Sequence, residues 1–321
     1  MKSIKFLICI SFISSFIIAC YKEDAIVPTS AANSEKFTFP QGNETRDLLI
    51  KDIYDEFGVR VIYKNFKLND FSITWTNPAG GRIGYDVAVE HQDKAVNFIK
   101  DHIFDNLTPE ITKSVLPPYF YLGDSIADYT LYPGILEAYS PVSYVYNGLD
   151  FWAFSWNGFL GYLKDLSTGE ISMNASAPMP PDNSFSIFYK RGVVLKEIFK
   201  RSVNNGNISV PEDFSIGFDF VTATNAIVGN DNHTWKRGFP GQFTSATNFN
   251  ISNLGRVTST SEKQNFIDYI QLCMRYTPDS IALRYPPAQY PLIHAKYPIV
   301  IDYMKNKYNI DLNKIATKPQ I

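Results

Sequence analysis

Val193-Val194-Leu195-Lys196-Glu197-Ile198-Phe199-Lys200-Arg201 sets the frame for the rest of the chain. Apolar residues at 194, 195, 198, 199 and 203 recur at helical spacing, and Asn204-Asn205-Gly206 supplies a stop, so the pattern predicts an amphipathic helix. Lys196 and Lys200 stand four apart on one side of it, with Glu197 beside them. Taken alone, such a pattern is an ordinary solvated charged face, supported by Glu–Lys pairs.

The first residues carry an export pattern. Basic Lys2 and Lys5 precede an apolar run that ends at Ile17-Ile18-Ala19-Cys20, too short to span a bilayer comfortably. The run resembles a bacterial lipobox, so residues 1–19 are expected to be a lipoprotein signal peptide and Cys20 the lipidated N-terminus. Acyl chains there would hold the protein at a membrane, each buried methylene contributing about 0.8 kcal/mol. Lys22-Glu23-Asp24 resembles the surface-export signal of Bacteroidetes lipoproteins, with a merely polar tether as the alternative. Residues 20–42 then read as a flexible lipidated tether and 43–321 as a single domain.

Composition bounds that domain. At 45% hydrophobic and 15% aromatic residues, it can bury a sizeable core. Without the signal, 28 basic residues face 32 acidic ones, and no basic stripe or RNP-like motif points to nucleic acid. Cys9 leaves with the signal and Cys20 would be acylated, so Cys273 alone remains; no intrachain disulfide or thiolate metal cage can form. Cys273 sits in an apolar helical pattern, as a buried thiol does.

Along the domain, helical patterns are predicted over 45–57, 92–104 and 108–114, and strands over 59–66, 119–122, 144–146 and 151–154. Residues 158–183 read as loops with one short strand. Gly80-Gly81-Arg82-Ile83-Gly84 does not lie between a clear strand and helix, which argues against a phosphate cradle. The order of elements is α+β.

Several segments together resemble the zinc-binding metallopeptidase lipoproteins of Bacteroidetes, a substrate import-associated zinc metallohydrolase family encoded near SusC/SusD-type importers. They are Asp47-Leu48-Leu49-Ile50 with Val59-Arg60-Val61-Ile62-Tyr63, Leu116-Pro117-Pro118-Tyr119-Phe120-Tyr121-Leu122-Gly123-Asp124, Val210-Pro211-Glu212-Asp213-Phe214, Gly255-Arg256-Val257 and Tyr308-Asn309-Ile310-Asp311-Leu312. The resemblance implies a zincin-like metallopeptidase fold with a mixed sheet and helices. It also implies zinc held by an HExxH helix, whose two imidazoles bind the ion and whose glutamate activates water. This chain departs there: both histidine positions are Lys196 and Lys200, and of the acidic motif expected to give the third ligand only Asp268 survives in Gln264-Asn265-Phe266-Ile267-Asp268.

The departure falls on the chemistry. An ammonium has no lone pair, and stripping its proton at pH 7 costs roughly 4–5 kcal/mol per lysine. Two such costs cancel much of the ~10–16 kcal/mol available to a good structural zinc site. His91, His102, His233 and His294 offer no i, i+4 pair, and are expected to be exposed or satisfied in the core. No metal and no cofactor are therefore expected. Lys196 and Lys200 together carry the charge of one zinc ion, and are expected to satisfy Glu197 and Asp268 where the ion once sat.

Three functions remain open. The first is a non-catalytic accessory lipoprotein, anchored in the outer membrane facing the exterior, serving a TonB-dependent SusC/SusD-type importer and binding peptide or glycan. The second is an active hydrolase with non-standard ligands or paired acids such as Asp124 with Asp128 or Glu212 with Asp213. The third is a glycan-binding lipoprotein using Trp152 and Trp156, which share a face of the predicted strand with Phe154; rings facing the core are the competing reading. Trp75 and Trp235 read as loop-borne.

Overall fold

Asn183 begins the central helix. Its side chain accepts from the backbone N–H groups of Phe185 and Ser186, and Ser186 Oγ accepts in return from Asn183 N–H. The computed structural model describes residues 36–67, 70–72, 80–158, 161–173, 180–243, 245, 248–251 and 260–320. Cys20, the 22–24 export cluster, the signal, residues 20–35 of the expected tether, Trp75 and Gly255-Arg256-Val257 lie outside the described residues, whereas tether residues 36–42 are described and Gln41 among them bonds Tyr63 N–H and Lys64 O. The described residues from Phe39 onward form one compact unit.

The chain runs α1 (Thr45–Phe57), β1 (Arg60–Ile62), β2 (Gly80–Asp86) and α2 (Gln92–Asn97), which widens into a π-helical segment, Phe98–Ile103. After α3 (Pro109–Thr112) come β3 (Tyr119–Tyr132), β4 (Leu136–Pro141), β5 (Tyr144–Val145), β6 (Phe151–Ser155), β7 (Tyr162–Asp165) and β8 (Ile171–Met173). Five helices close the described chain: α4 (Ser184–Asn204), α5 (Glu262–Arg275), α6 (Pro278–Arg284), α7 (Pro291–Tyr308) and α8 (Leu312–Ala316). The architecture is α+β with a mixed sheet. Among the described residues no helix is long and apolar enough to cross a membrane.

β3 is the spine of the sheet. Its first half lies between β1 and β6, both parallel to it, and its second half between β2 and β4, both antiparallel. The strand after β4 changes partner at a bend: Val142 N–H donates to Ile126 O, and Ser143 O accepts from Ser155 N–H. β5 thereby leaves β3 and pairs with β6 at the sheet edge. The sheet is paired along its length, so the core gathers where its first half meets the helices, with Phe98 stacked on Phe154 at 5.4 Å between ring centroids.

Several sequence expectations change. The strand predicted over 59–66 keeps only Arg60–Ile62, because Tyr63 N–H is taken by Gln41 Oε1. The glycine-rich stretch is strand β2, and Gly84 is needed there because a Cβ would meet the Phe71 ring at 2.3 Å. Two strands, β7 and β8, occupy the interval read as loops with one strand.

Candidate functional site

The site is assembled on α4, which is longer and more deeply buried than an amphipathic surface helix. Almost every side chain from Lys190 to Val203 is buried, leaving Lys200 with 45% of its side chain exposed. Lys196, 2% exposed, is not on a solvated face. One turn before it, Gly192 leaves room for the Phe249 ring to lie against the helix backbone. The segment carrying Phe249 also brings two backbone carbonyls, Ser245 O and Asn248 O, onto the Lys196 ammonium, which donates to both. Burial pulls the Lys196 pKa down to about 8, against the opposing pull of Glu197, so at neutral pH the amine is still mostly protonated.

Glu197 turns to the other side of the helix. Its Oε1 accepts from Arg201 Nε at 2.8 Å and its Oε2 lies 3.7 Å from Lys200 Nζ. Arg201 also donates to Tyr146 O at 2.9 Å and lies over the Trp152 ring, so the helix is tied to the chain leaving β5. Glu197 and Arg201 form one wall of a cleft of about 590 Å³; Arg82 and Asp128, paired at 2.7 Å, face it from β2 and β3, and Tyr144 and Tyr146 line it from the sheet edge. Burial raises both tyrosine pKa values well above the ordinary one, so the phenols stay neutral.

Asp268 lies on α5, buried, and accepts a hydrogen bond from Gln264 Nε2 at 2.9 Å. Burial pushes its carboxyl pKa well up, with the Gln264 bond acting the other way. Neither lysine bonds it, which corrects the expectation that two ammonium groups would satisfy Glu197 and Asp268 together. Lys196 directs its hydrogen bonds to backbone carbonyls, Lys200 lies by Glu197, and Asp268 is left to Gln264 with its carboxyl pKa raised by burial.

A carboxyl pKa raised by burial gives a pH dependence. Below the ordinary Asp pKa of about 3.9 the carboxyl is protonated folded or unfolded. Above it the unfolded chain releases a proton that the folded chain keeps, so stability falls as pH rises until the folded pKa is passed. Asp268→Asn keeps the Gln264 bond without titrating. In urea titrations at pH 4, 5, 6 and 7, the variant should match wild type at pH 4. It should then gain on wild type by up to roughly 1.4 kcal/mol per pH unit. An unchanging gap between the two would refute a raised pKa at Asp268.

The donor chemistry does not fit zinc. Lys196 presents hydrogen-bond donors to two carbonyls and Lys200 extends to solvent, so the helix offers no pair of lone-pair ligands. Among the described residues no three His, Cys, Asp or Glu side chains converge as a metal set.

The remaining candidates are dispersed. Trp152 and Trp156 are 3% and 4% exposed, so the proposed stacking platform faces inward. Trp152 is covered by Tyr146 and Arg201, and Trp156 packs edge-on against Phe98. Strand alternation could not show this, because β6 is buried on both faces. Trp235, half-buried, packs on Tyr285 and Tyr290. Asp124 and Asp128 do not form a catalytic pair: Asp124 accepts from Asn157, and Asp128 is bound to Arg82. Glu212 and Asp213 stay exposed. Cys273 is buried with its thiol pKa raised by burial, in line with an inert core thiol.

Sequence reading missed Gly192 and the carbonyls at 245 and 248; of the partners it left open for Glu197, namely Lys196, Lys200 and Arg201, the structure pairs Glu197 with Arg201 and Lys200. The small residue one turn before Lys196 was the available signal for a close approach. His91 and His102, eleven positions apart in the chain and open to an approach in space on sequence grounds, line one cleft.

No family model and no curated protein matches the sequence. Among solved structures the chain is similar to a crystal structure described as a "putative zinc-binding metallo-peptidase" from Bacteroides caccae. The identity is 11%, the match covers 86% of this chain and 91% of that one, and the TM-score is 0.40. At that level the likeness assigns neither a family nor an activity to this chain.

Proposed function

We propose that this protein is a non-catalytic relative of the zincin-like metallopeptidase lipoproteins. In this reading it is lipidated at Cys20, held at the outer membrane facing the exterior, and accessory to a SusC/SusD-type importer for which it binds peptide or glycan. The observation that carries the reading is the Lys196 ammonium bound by Ser245 O and Asn248 O, on the helix face where a metallopeptidase requires an electron-pair donor. The capture of Glu197 by Arg201 adds to it, because a carboxylate engaged by a guanidinium is a poor base for water. The lipobox-like residues 17–20 and the acidic cluster at 23–24 support the anchor and the location.

The test is to equilibrate the purified chain with zinc, dialyse, and measure bound metal and turnover of a mixed peptide library. Substoichiometric zinc and no turnover are expected. One tightly bound zinc per chain, with hydrolysis lost in Glu197→Gln, would overturn the proposal in favour of an active hydrolase. Co-purification of an importer from detergent-solubilised membranes tests the partner separately.

A further inference from the structure

Most of the described arginines have a partner for their charge or their donors. Arg46, Arg82, Arg201 and Arg237 are ion-paired with Asp93, Asp128, Glu197 and Asp219, and Arg191 donates to Ile315 O and Thr317 O. Two others have no such partner, and they meet on one ring. Arg275, the last residue of α5, lies 5.7 Å from the centroid of the Tyr276 ring, and Arg284, the last residue of α6, lies 5.3 Å from the same centroid.

Aromatic side chains hold both guanidinium groups. Phe188 and Phe249 also lie against Arg275, at 5.2 and 5.4 Å, and Trp235 and Tyr285 against Arg284, at 5.7 and 5.5 Å. Ring contacts and a position at a helix C-terminus both favour a cation, but neither consumes N–H donors. Arg275 makes no hydrogen bond among the described residues, and its Nε is buried without a partner. Arg284 gives Nε to Tyr285 Oη at 3.2 Å, which leaves both Nη groups unspent. The groups acting electrostatically on Arg284 are Tyr285 and Tyr276, with no carboxylate among them. Asp279, exposed on α6 between the two arginines in sequence, is ion-paired with neither. Arg275, Tyr276 and Arg284 are each partly open to solvent.

A guanidinium whose plane is fixed by aromatic rings presents a fork of donors that matches the two oxygens of a carboxylate. Two unspent forks around one tyrosine repel a cation and leave a neutral ligand without an answer to their charge. An extended peptide places alternate side chains on one side about 7 Å apart. That spacing suits two cations lying 5.7 and 5.3 Å from one ring centroid. We propose that the corner between α5 and α6 binds an extended acidic peptide, with one carboxylate on Arg275 and another on Arg284. The inference deepens the peptide-binding reading above and rests on it for the choice of a peptide over a free dicarboxylic acid. Zinc binding or turnover would overturn the non-catalytic reading and leave this binding untouched, and loss of this binding would leave the zinc result untouched.

Isothermal titration of the full chain with N-acetyl-Glu-Gly-Glu-amide tests it. This peptide should bind at least about tenfold more tightly than N-acetyl-Gln-Gly-Gln-amide, and more weakly as salt is raised. Arg275→Gln and Arg284→Gln should each weaken it about tenfold, as loss of a charged hydrogen-bonding partner does. Arg284→Lys should weaken it as well, because lysine keeps the charge without the fork. Arg284 is partly exposed, so its variants keep the fold even if Arg275→Gln, which loses three ring contacts, does not. Lys51→Gln, on the exposed face of α1, should bind as wild type does. Equal binding of the two peptides overturns the proposal, as does no binding of the acidic one. Binding undiminished in Arg284→Gln and Arg284→Lys also overturns it. Inorganic phosphate that binds more tightly than the acidic peptide and displaces it would overturn it in favour of a phosphate site.

Discussion

Lys196→Ala is expected to lower the stability of the chain by about 2–3 kcal/mol at pH 7, with Lys196→Met falling between the variant and wild type. Removing the ammonium leaves Ser245 O and Asn248 O without their lysine donor, at a cost of about 1–3 kcal/mol for each carbonyl that stays dry. The methylene stem is lost as well, at about 0.8 kcal/mol per buried methylene. Against these stands the relief of a buried charge, whose size is signalled by a pKa drawn down from 10.5 to about 8. That is worth roughly 3 kcal/mol at 1.36 kcal/mol per unit. The losses outweigh the gain because Lys196 supplies hydrogen bonds and packing together, and methionine preserves the packing alone. Urea denaturation followed by circular dichroism measures the order. If Lys196→Ala were as stable as wild type, the ammonium would be a net burden and not the tie between α4 and the Ser245 and Asn248 carbonyls.

Gly192→Ala is expected to destabilise by about 2 kcal/mol or more, although alanine is the better helix former by roughly 1 kcal/mol. A Cβ at this position would lie 2.2, 2.3 and 2.7 Å from three atoms of the Phe249 ring. The ring cannot swing away cheaply. It is fully buried, stacked on Phe243 at 5.6 Å and edge-on to Phe188 at 5.7 Å, with Arg275 over its face. The clash therefore outweighs the propensity. Phe249→Leu in the Gly192→Ala background should recover part of the loss, and a double-mutant cycle reads that coupling directly. Additive effects would show that Gly192 does not serve the approach of Phe249. Gly192 and Lys196 are one turn apart, so both variants probe the docking of one segment on one helix face.

Legibility differed between fold and site. The helix containing Lys196 and Glu197 could be read from apolar spacing, and its end at Asn204 from the Asn-Asn-Gly stop. The sheet was legible at 119–122 and 151–154, where aromatic residues cluster. β4, and one of the two strands β7 and β8 where a single short strand was read, were missed because they are short and none of their residues is buried, and a strand without a buried face leaves little alternation to read. In the site, spacing placed Lys196, Glu197 and Lys200 on one helix but could not tell a solvated lysine from a buried one. That distinction depends on residues some fifty positions away in the chain.

By itself the sequence determined the chemical types on the α4 helix: protonated amines at 196 and 200 and a carboxylate at 197, a consequence of side-chain pKa values and lone pairs that no fold is needed to state. The tertiary structure alone decided what each of them touches. It brought Ser245 O and Asn248 O onto Lys196, turned Glu197 toward Arg201, and left Asp268 to Gln264 in the core. The physical reason is that burial and hydrogen-bond partnership belong to segments distant in the chain, whereas charge and valence belong to each residue alone.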